Sequence, residues 1–158
     1  MFRKMRRCKQ EVPKEECVKV LTEEKRGVLS LIIENGYPYG IPMDFYYDKE
    51  ENIIYFHGAG AGQKIDAIKA CDQVCFTTWN TGFQKEGDWA WNVTSVVCFG
   101  RVELLEDVEK ATDKARLFGN KYYPSAEEVE EEIRKDMNRC QMLALHVEHM
   151  TGKLVNEK

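Results

Sequence analysis

The sequence predicts a mainly β chain of the α+β kind: six antiparallel strands curled into a small barrel, with helices between and beside them. Three observations point there. Hydrophobic runs rich in Val, Ile, Tyr and Phe recur along the chain, as in Val28–Ile33, Ile53–His57 and Gln73–Trp79. Several are joined by turns such as Asn35-Gly36 and Asp48–Asn52, which are too short for a parallel crossover. A sheet of this size sheds its exposed edges most simply by closing on itself.

Each element has a local reason. Pro13 suits the first residue of a helix, and Cys17, Val18 and Leu21 recur at helical spacing until Gly27 ends it, giving a helix near 13–25. Val28–Ile33 follows as a strand, and Asn35-Gly36 is a hairpin turn. Tyr39–Tyr47 is the second strand, where Pro42 cannot donate to a ladder and so marks an edge or a bulge. After the polar turn 48–52, Ile53–His57 runs into the glycine segment, and a short helix spans Gln63 to the residue before Asp72.

Beyond the strand 73–79, residues 80–90 form an exposed loop between Trp79, Trp89 and Trp91, which pack in the core or a dimer contact or else cap a pocket. Trp91–Leu105 is the longest strand, with Gly100 a bulge or a point of close approach. A helix after Glu106-Asp107 runs to Phe118, with Gly119-Asn120 as its C-cap. Ser125 and Glu128 form a capping box that opens the last helix, which reaches about Asn138 with an acidic, solvated face. Cys140–Glu148 closes the sheet, and Thr151-Gly152 turns into a polar tail over 151–158.

A chain of 158 residues with 43% hydrophobic content buries one core, so a single domain over 1–158 is expected, with 1–12 as a basic arm. The net charge of -4 argues against nucleic acid as the partner. No run has the roughly 18 apolar residues of a membrane span, and no apolar stretch follows MFRKMRRCKQ as a signal peptide would need. Six cysteines without a secretion signal read as free thiols in a reducing cytoplasm, and Cys71 and Cys75 lack the further ligands of a metal site.

The segment YFHGAGAGQKID, Tyr55–Asp66, is the chemical focus. It is neither a Walker A loop, since no Gly-Lys-Ser/Thr follows, nor a dinucleotide fingerprint, since the spacing is G-x-G-x-G in an antiparallel context. What remains is a strand, a loop with little bulk and a helix start carrying Lys64: either an anion site built from backbone N–H groups and one cation, or a connector.

The ordered set MFRKMRR, GYPYGIPMDFYY, IIYFHGAGAGQKIDAIK, TSVVCFGRVELL and HVEHMTGK resembles the pyridoxamine 5'-phosphate oxidase-like flavoproteins over nearly the whole chain, and among them the nitroimidazole-resistance type. This resemblance implies an FMN-binding split β-barrel that works as a homodimer with FMN in clefts at the subunit interface. By position, Pro42 and Met43 would lie along the isoalloxazine, and His57, Gly58 and Ala59 would line its edge. Gly62, Gln63 and Lys64 would hold the phosphate, with Ser95 adding a hydroxyl.

Similar proteins often have histidine in place of Gln63, and an aromatic with a basic residue in place of Val93-Thr94, which leaves more of the phosphate charge to Lys64. The implied activity is FMN-dependent reduction of a small organic substrate such as a 5-nitroimidazole, with NAD(P)H or another reductant. His57 is the candidate catalytic proton donor. The alternatives are a flavin module without turnover, or a split barrel that uses haem or F420.

Overall fold

The structure, a computed structural model, describes residues 1–156. Its elements follow the chain as β1 (Glu11–Val12), α1 (Lys14–Glu23), β2 (Arg26–Ile32), β3 (Pro38–Asp44), β4 (Tyr46–Asp48), β5 (Ile53–Ala59), α2 (Gln63–Ala70), β6 (Gln73–Trp79), β7 (Phe83–Gln84), β8 (Trp91–Leu104), α3 (Val108–Tyr122), α4 (Ala126–Asp136) and β9 (Cys140–Asn156). Among the described residues the nine strands form one sheet with the order β3-β2-β6-β8-β9-β5-β4, while β1 adds to β9 and β7 to β8. Every pairing is antiparallel.

The predicted second strand is broken. β3 and β4 are parted in the chain by Phe45 alone, yet they stand at opposite ends of the strand order. Pro38–Asp44 pairs with β2 and Tyr46–Asp48 with β5, so the bend at Phe45 curls the sheet into a barrel whose seam between β3 and β5 stays split. The bend is held from α3: the Phe45 N–H donates to Tyr122 Oη at 2.8 Å, and its carbonyl accepts from Lys121 Nζ at 3.1 Å. Pro42 fits because β3 is an edge strand. Gly36 closes the β2–β3 loop at φ +81, with the Ile33 N–H bonded to the Tyr37 carbonyl at 3.0 Å.

Inside the barrel, Phe45, Phe56 and Phe76 meet edge to face at 4.8 and 5.1 Å. Cys17, Val20 and Leu21 of α1 and Ile65 and Ile68 of α2 join the same core. A second cluster lies outside, where Ile53 and Tyr55 of β5 and Met142 and Ala144 of β9 pack on Ala111 and Phe118 of α3. β5 therefore buries both faces, which explains why Ile53–Phe56 is apolar without alternation.

Other expectations change for reasons of packing. The arm over 1–12 and the tail over 151–158 are not both free: Glu11 and Val12 pair with Lys153 and Gly152, and β9 continues to Asn156. Gly152 is there for close approach and makes no turn, since a Cβ would come within 2.3 Å of Cys17 Sγ. The end of that tail, 157–158, lies outside the described residues. α3 runs through Gly119 to Tyr122 because Val129 of α4 rests on that glycine, where a Cβ would meet Cγ1 at 2.7 Å. The loop 80–90 contributes the short strand β7, and Trp79, Trp89 and Trp91 are exposed, so they do not pack in the core. Gly100 sits at a register shift in β8, with His146 O 1.9 Å from where its Cβ would stand. Among the described residues no helix is long and apolar enough to cross a membrane.

Candidate functional site

The glycine segment forms the corner between β5 and α2. Alternation along β5 turns Phe56 and Gly58 inward and Tyr55 and His57 toward α3. The missing side chain at Gly58 makes room for Lys64, whose Nζ would lie 2.6 Å from a Cβ at that position. Gly62 takes φ +114, a conformation that favours glycine, and as N-cap of α2 it has no side chain with which to occupy the first N–H groups of the helix.

Lys64 is half-buried, and its amine lies 3.8 Å from Met43 Sδ on β3. Among the described residues no carboxylate stands within 4.0 Å of it. Burial lowers its pKa, with Cys140 pulling the other way. An uncapped helix start beside a cation without a counter-ion, set on glycine and methionine, is an arrangement that attracts an anion.

His57 occupies the other side of the same strand end. Its ring meets Phe118 edge-on at 4.8 Å and 82°. One edge stays open to solvent, yet enough protein surrounds the ring for burial to depress its pKa, against a raising influence from Asp44 and with a further lowering one from Lys64. The imidazole is therefore neutral at pH 7 and able to give or take one proton.

The predicted residues separate into groups. Met43, Gly58 and Lys64 come together, with Ala59, Gly62 and Gln63 exposed around them. Pro42 faces the outer side of the sheet, in the row Pro42–Val28–Thr77–Val97. Ser95 lies two residues beyond Val97 on that same side, three strands and roughly 15 Å from Pro42. This outer face of β3, β2, β6 and β8 carries Ile32 and Trp79, 48% and 51% exposed. At its far end Phe2 stacks on His149 at 4.5 Å and on Phe99 at 5.4 Å.

Sequence reasoning missed the partners supplied by α3 and α4. Together with the ends of β5 and β9, these helices line a half-open cavity of about 250 Å³ that reaches His57 and Cys140. Cys140 is the residue paired with Ala59, and burial raises its thiol pKa. The capping box marked the start of α4, since the Glu128 N–H does donate to Ser125 Oγ at 3.3 Å. No local signal showed that α4 would fold back over α3.

Comparison with known proteins supports this architecture. The chain matches a candidate 5-nitroimidazole antibiotic resistance protein from Bacteroides thetaiotaomicron at 21% identity and a TM-score of 0.76, over 92% of this chain and 87% of that one. An FAD-binding protein from Mesorhizobium loti matches at 21% identity and a TM-score of 0.66, over 92% and 96% of the two chains. A flavocytochrome from Azotobacter vinelandii matches at 20% identity and a TM-score of 0.76, over 96% and 72%. Comparison with curated protein sequences returned no match. The pyridoxamine 5'-phosphate oxidase family profile matches residues 13–154, from the start of α1 to near the end of β9. The chain therefore belongs to the pyridoxamine 5'-phosphate oxidase family.

Proposed function

We propose that this protein is an FMN-dependent oxidoreductase that acts as a cytoplasmic homodimer and reduces a small organic acceptor, such as a 5-nitroimidazole, with NAD(P)H as donor. The observation that carries the reading is Lys64: a half-buried cation without a carboxylate partner among the described residues, at an uncapped helix start. One cation and one helix terminus suit the single phosphate of FMN. The flavin-binding proteins of the same fold make a flavin the natural choice.

In this reading Gly62, Gln63 and Lys64 bind the phosphate through the helix N–H groups and the amine. Met43 would lie against the flavin ring from β3, with Pro42 next to it in the chain but on the outer side of the sheet, and His57, Gly58 and Ala59 would line the ring's edge. FMN, when bound, accepts two electrons from the donor and passes them to the acceptor. His57, neutral and open on one edge, would relay a proton to a reduced acceptor, taking one from solvent at one ring nitrogen as it gives one from the other. Ser95 stands on the outer sheet face, whereas Lys64 lies against Met43 on the other face, so the reading assigns its hydroxyl to a site completed by a second copy on the outer face. That face carries Ile32 and Trp79 exposed at its two ends.

The test is the absorption spectrum of the purified protein with mass identification of the released cofactor, repeated for Lys64→Glu. A flavin spectrum that disappears in the variant supports the assignment. A Soret band in place of flavin bands would establish the haem alternative, and unchanged FMN affinity in Lys64→Glu would refute the phosphate site. Flavin that NAD(P)H never reduces, with any acceptor, would leave a binding module in place of an enzyme.

A further inference from the structure

The cavity between α3 and α4 is more than a packing gap. Its floor is apolar and deeply buried, with Phe118, Val129 and Met142 at 6%, 2% and 1% exposure. Ile133 and Met137 extend the apolar wall along α4 in step with Val129, at helical spacing. Two carboxylates interrupt that stripe: Glu132 and Asp136, four residues apart, line the cavity with side chains 39% and 40% exposed. The cavity also reaches His57, the residue shared with the β5 corner.

We propose that this cavity is the acceptor subsite of the enzyme and that it prefers a compact aromatic cation to an uncharged ring such as a 5-nitroimidazole, with the ring between Phe118, Met137 and His57 and the positive group toward Glu132 and Asp136. The proposal rests on the flavin reading for the word acceptor, but the binding preference rests on the cavity alone.

Size and charge support it. A volume of about 250 Å³ lies just below the ≈ 300–1,000 Å³ of pockets for drug-sized ligands, so a single ring with a short substituent fits. Like charges four residues apart on a helix repel one another. Lys135 and Arg139 do pair with Glu132 and Asp136, the first at 3.6 Å, but these cations are 66% and 75% exposed. Exposed pairs of this kind contribute only about 0–1 kcal/mol, so a ligand cation held on the apolar floor can displace them.

Neighbouring groups feel the two carboxylates. Burial raises the pKa of Tyr123 at the rim, and Glu132 and Asp136 raise it further, with Glu128 adding to them and Lys135 opposing. Asp136 likewise adds to the burial that raises Cys140, against Lys64 and the Gly58 N–H.

Calorimetric titration of the full chain, as purified and again after saturation with FMN, tests the proposal with three probes of one shape: 4-nitrobenzylammonium, 4-nitrobenzyl alcohol and 4-nitrobenzoate. The ammonium should bind at least tenfold more tightly than the alcohol, and the benzoate weakest. Glu132→Gln/Asp136→Asn should remove the preference while leaving alcohol affinity within about twofold. Ala115→Phe, which fills the cavity wall, should abolish binding of all three. The double variant carries the test if Ala115→Phe does not fold.

Equal affinity for the probes, preference for the benzoate, no binding, or a cation preference that survives the double variant would each overturn the subsite. Cation selectivity in a protein that ignores FMN would uphold the cavity and remove the flavin reading. FMN binding without cation selectivity would do the reverse.

Discussion

Gly58→Ala probes the corner more finely than a charge reversal, because it changes one distance. A Cβ there would stand 2.6 Å from Lys64 Nζ and 3.6 Å from its Cε, whereas carbon and nitrogen prefer about 3.5 Å, so the amine must retreat by about 1 Å. With a phosphate about 4 Å from the amine and an effective dielectric of about 20, that retreat lowers the attraction from about 4 to about 3.3 kcal/mol per unit charge. A phosphate carrying about −1.5 to −2 charges loses about 1.2–1.7 kcal/mol, which is roughly tenfold in Kd.

Folding should not suffer, because the atom displaced is the free end of a flexible side chain and Gly58 has no positive φ. Alanine there is neutral or stabilising, by up to about 1 kcal/mol. Quenching of FMN fluorescence on titration gives the affinity, and a thermal melt gives the stability. Unchanged affinity would show that Lys64 does not hold the phosphate. A melting point lowered by many degrees would show that packing, and not the amine, requires the glycine.

Three further outcomes follow from the fold. Burial lowers Lys121 to about 8, so between that value and the ordinary lysine pKa of about 10.4 the unfolded chain binds more protons. Lys121 should therefore add stability as pH rises above 8, by up to about 1.4 kcal/mol per unit. The thiols of Cys17, Cys75, Cys98 and Cys140, all raised by burial, oppose it, because they ionise first in the unfolded chain above about 8.5, and Tyr122, pushed up to about 12 by burial, joins them above pH 10. Lys121→Met keeps these opposing groups, so the difference in urea stability should shift in favour of wild type from pH 7.5 to 9.5, and a difference that stays flat would contradict this.

Lys114 lies 3.2 Å from Asp48 and 2.8 Å from Glu51, with both carboxyls held below their ordinary pKa values. Lys114→Ala should cost about 2–3 kcal/mol at pH 7. Because depressed carboxyls stabilise the fold only while ionised, wild type should lose stability as pH falls below about 4.5, and the variant much less. Acid titration of ellipticity compares the two.

Gly100→Ala places a Cβ 1.9 Å from a backbone oxygen that cannot step aside and should cost about 3 kcal/mol or more. Gly60→Ala, with nothing nearer than 4.0 Å, should stay within about 0.5 kcal/mol. Denaturant melts that rank the two the other way would refute the packing argument.

The strands were readable because their causes are local: alternation in β2 and β6, the turn at Gly36, and Pro42 marking an edge. The β5–α2 corner was readable for the same reason, since a strand end, glycines and a helix start with its lysine are contiguous. Glycine itself is ambiguous in sequence. Gly119 and Gly152 read as a cap and a turn, whereas each is a point where Val129 or Cys17 presses on the backbone from another element. The break at Phe45 depends on Lys121 and Tyr122, more than seventy residues away. The cavity depends on α4 returning over α3, and no pattern within either helix encodes that.

The position of β9 has a consequence for how the protein is made. It is the last described strand to leave the ribosome, yet it stands between β8 and β5 and pairs with β1 as well. Until it arrives, β5 and β4 have no partner on that side, and the two hydrophobic clusters lack what β9 supplies, Leu143 and Leu145 in the barrel and Met142 and Ala144 under α3. The nascent chain thus carries an unfinished sheet for most of its synthesis and completes it in one late, long-range step. Topologies of this kind fold slowly and expose surfaces that aggregate. Yield on overexpression should therefore respond more to growth temperature and chaperone supply than the stability of the finished barrel would suggest.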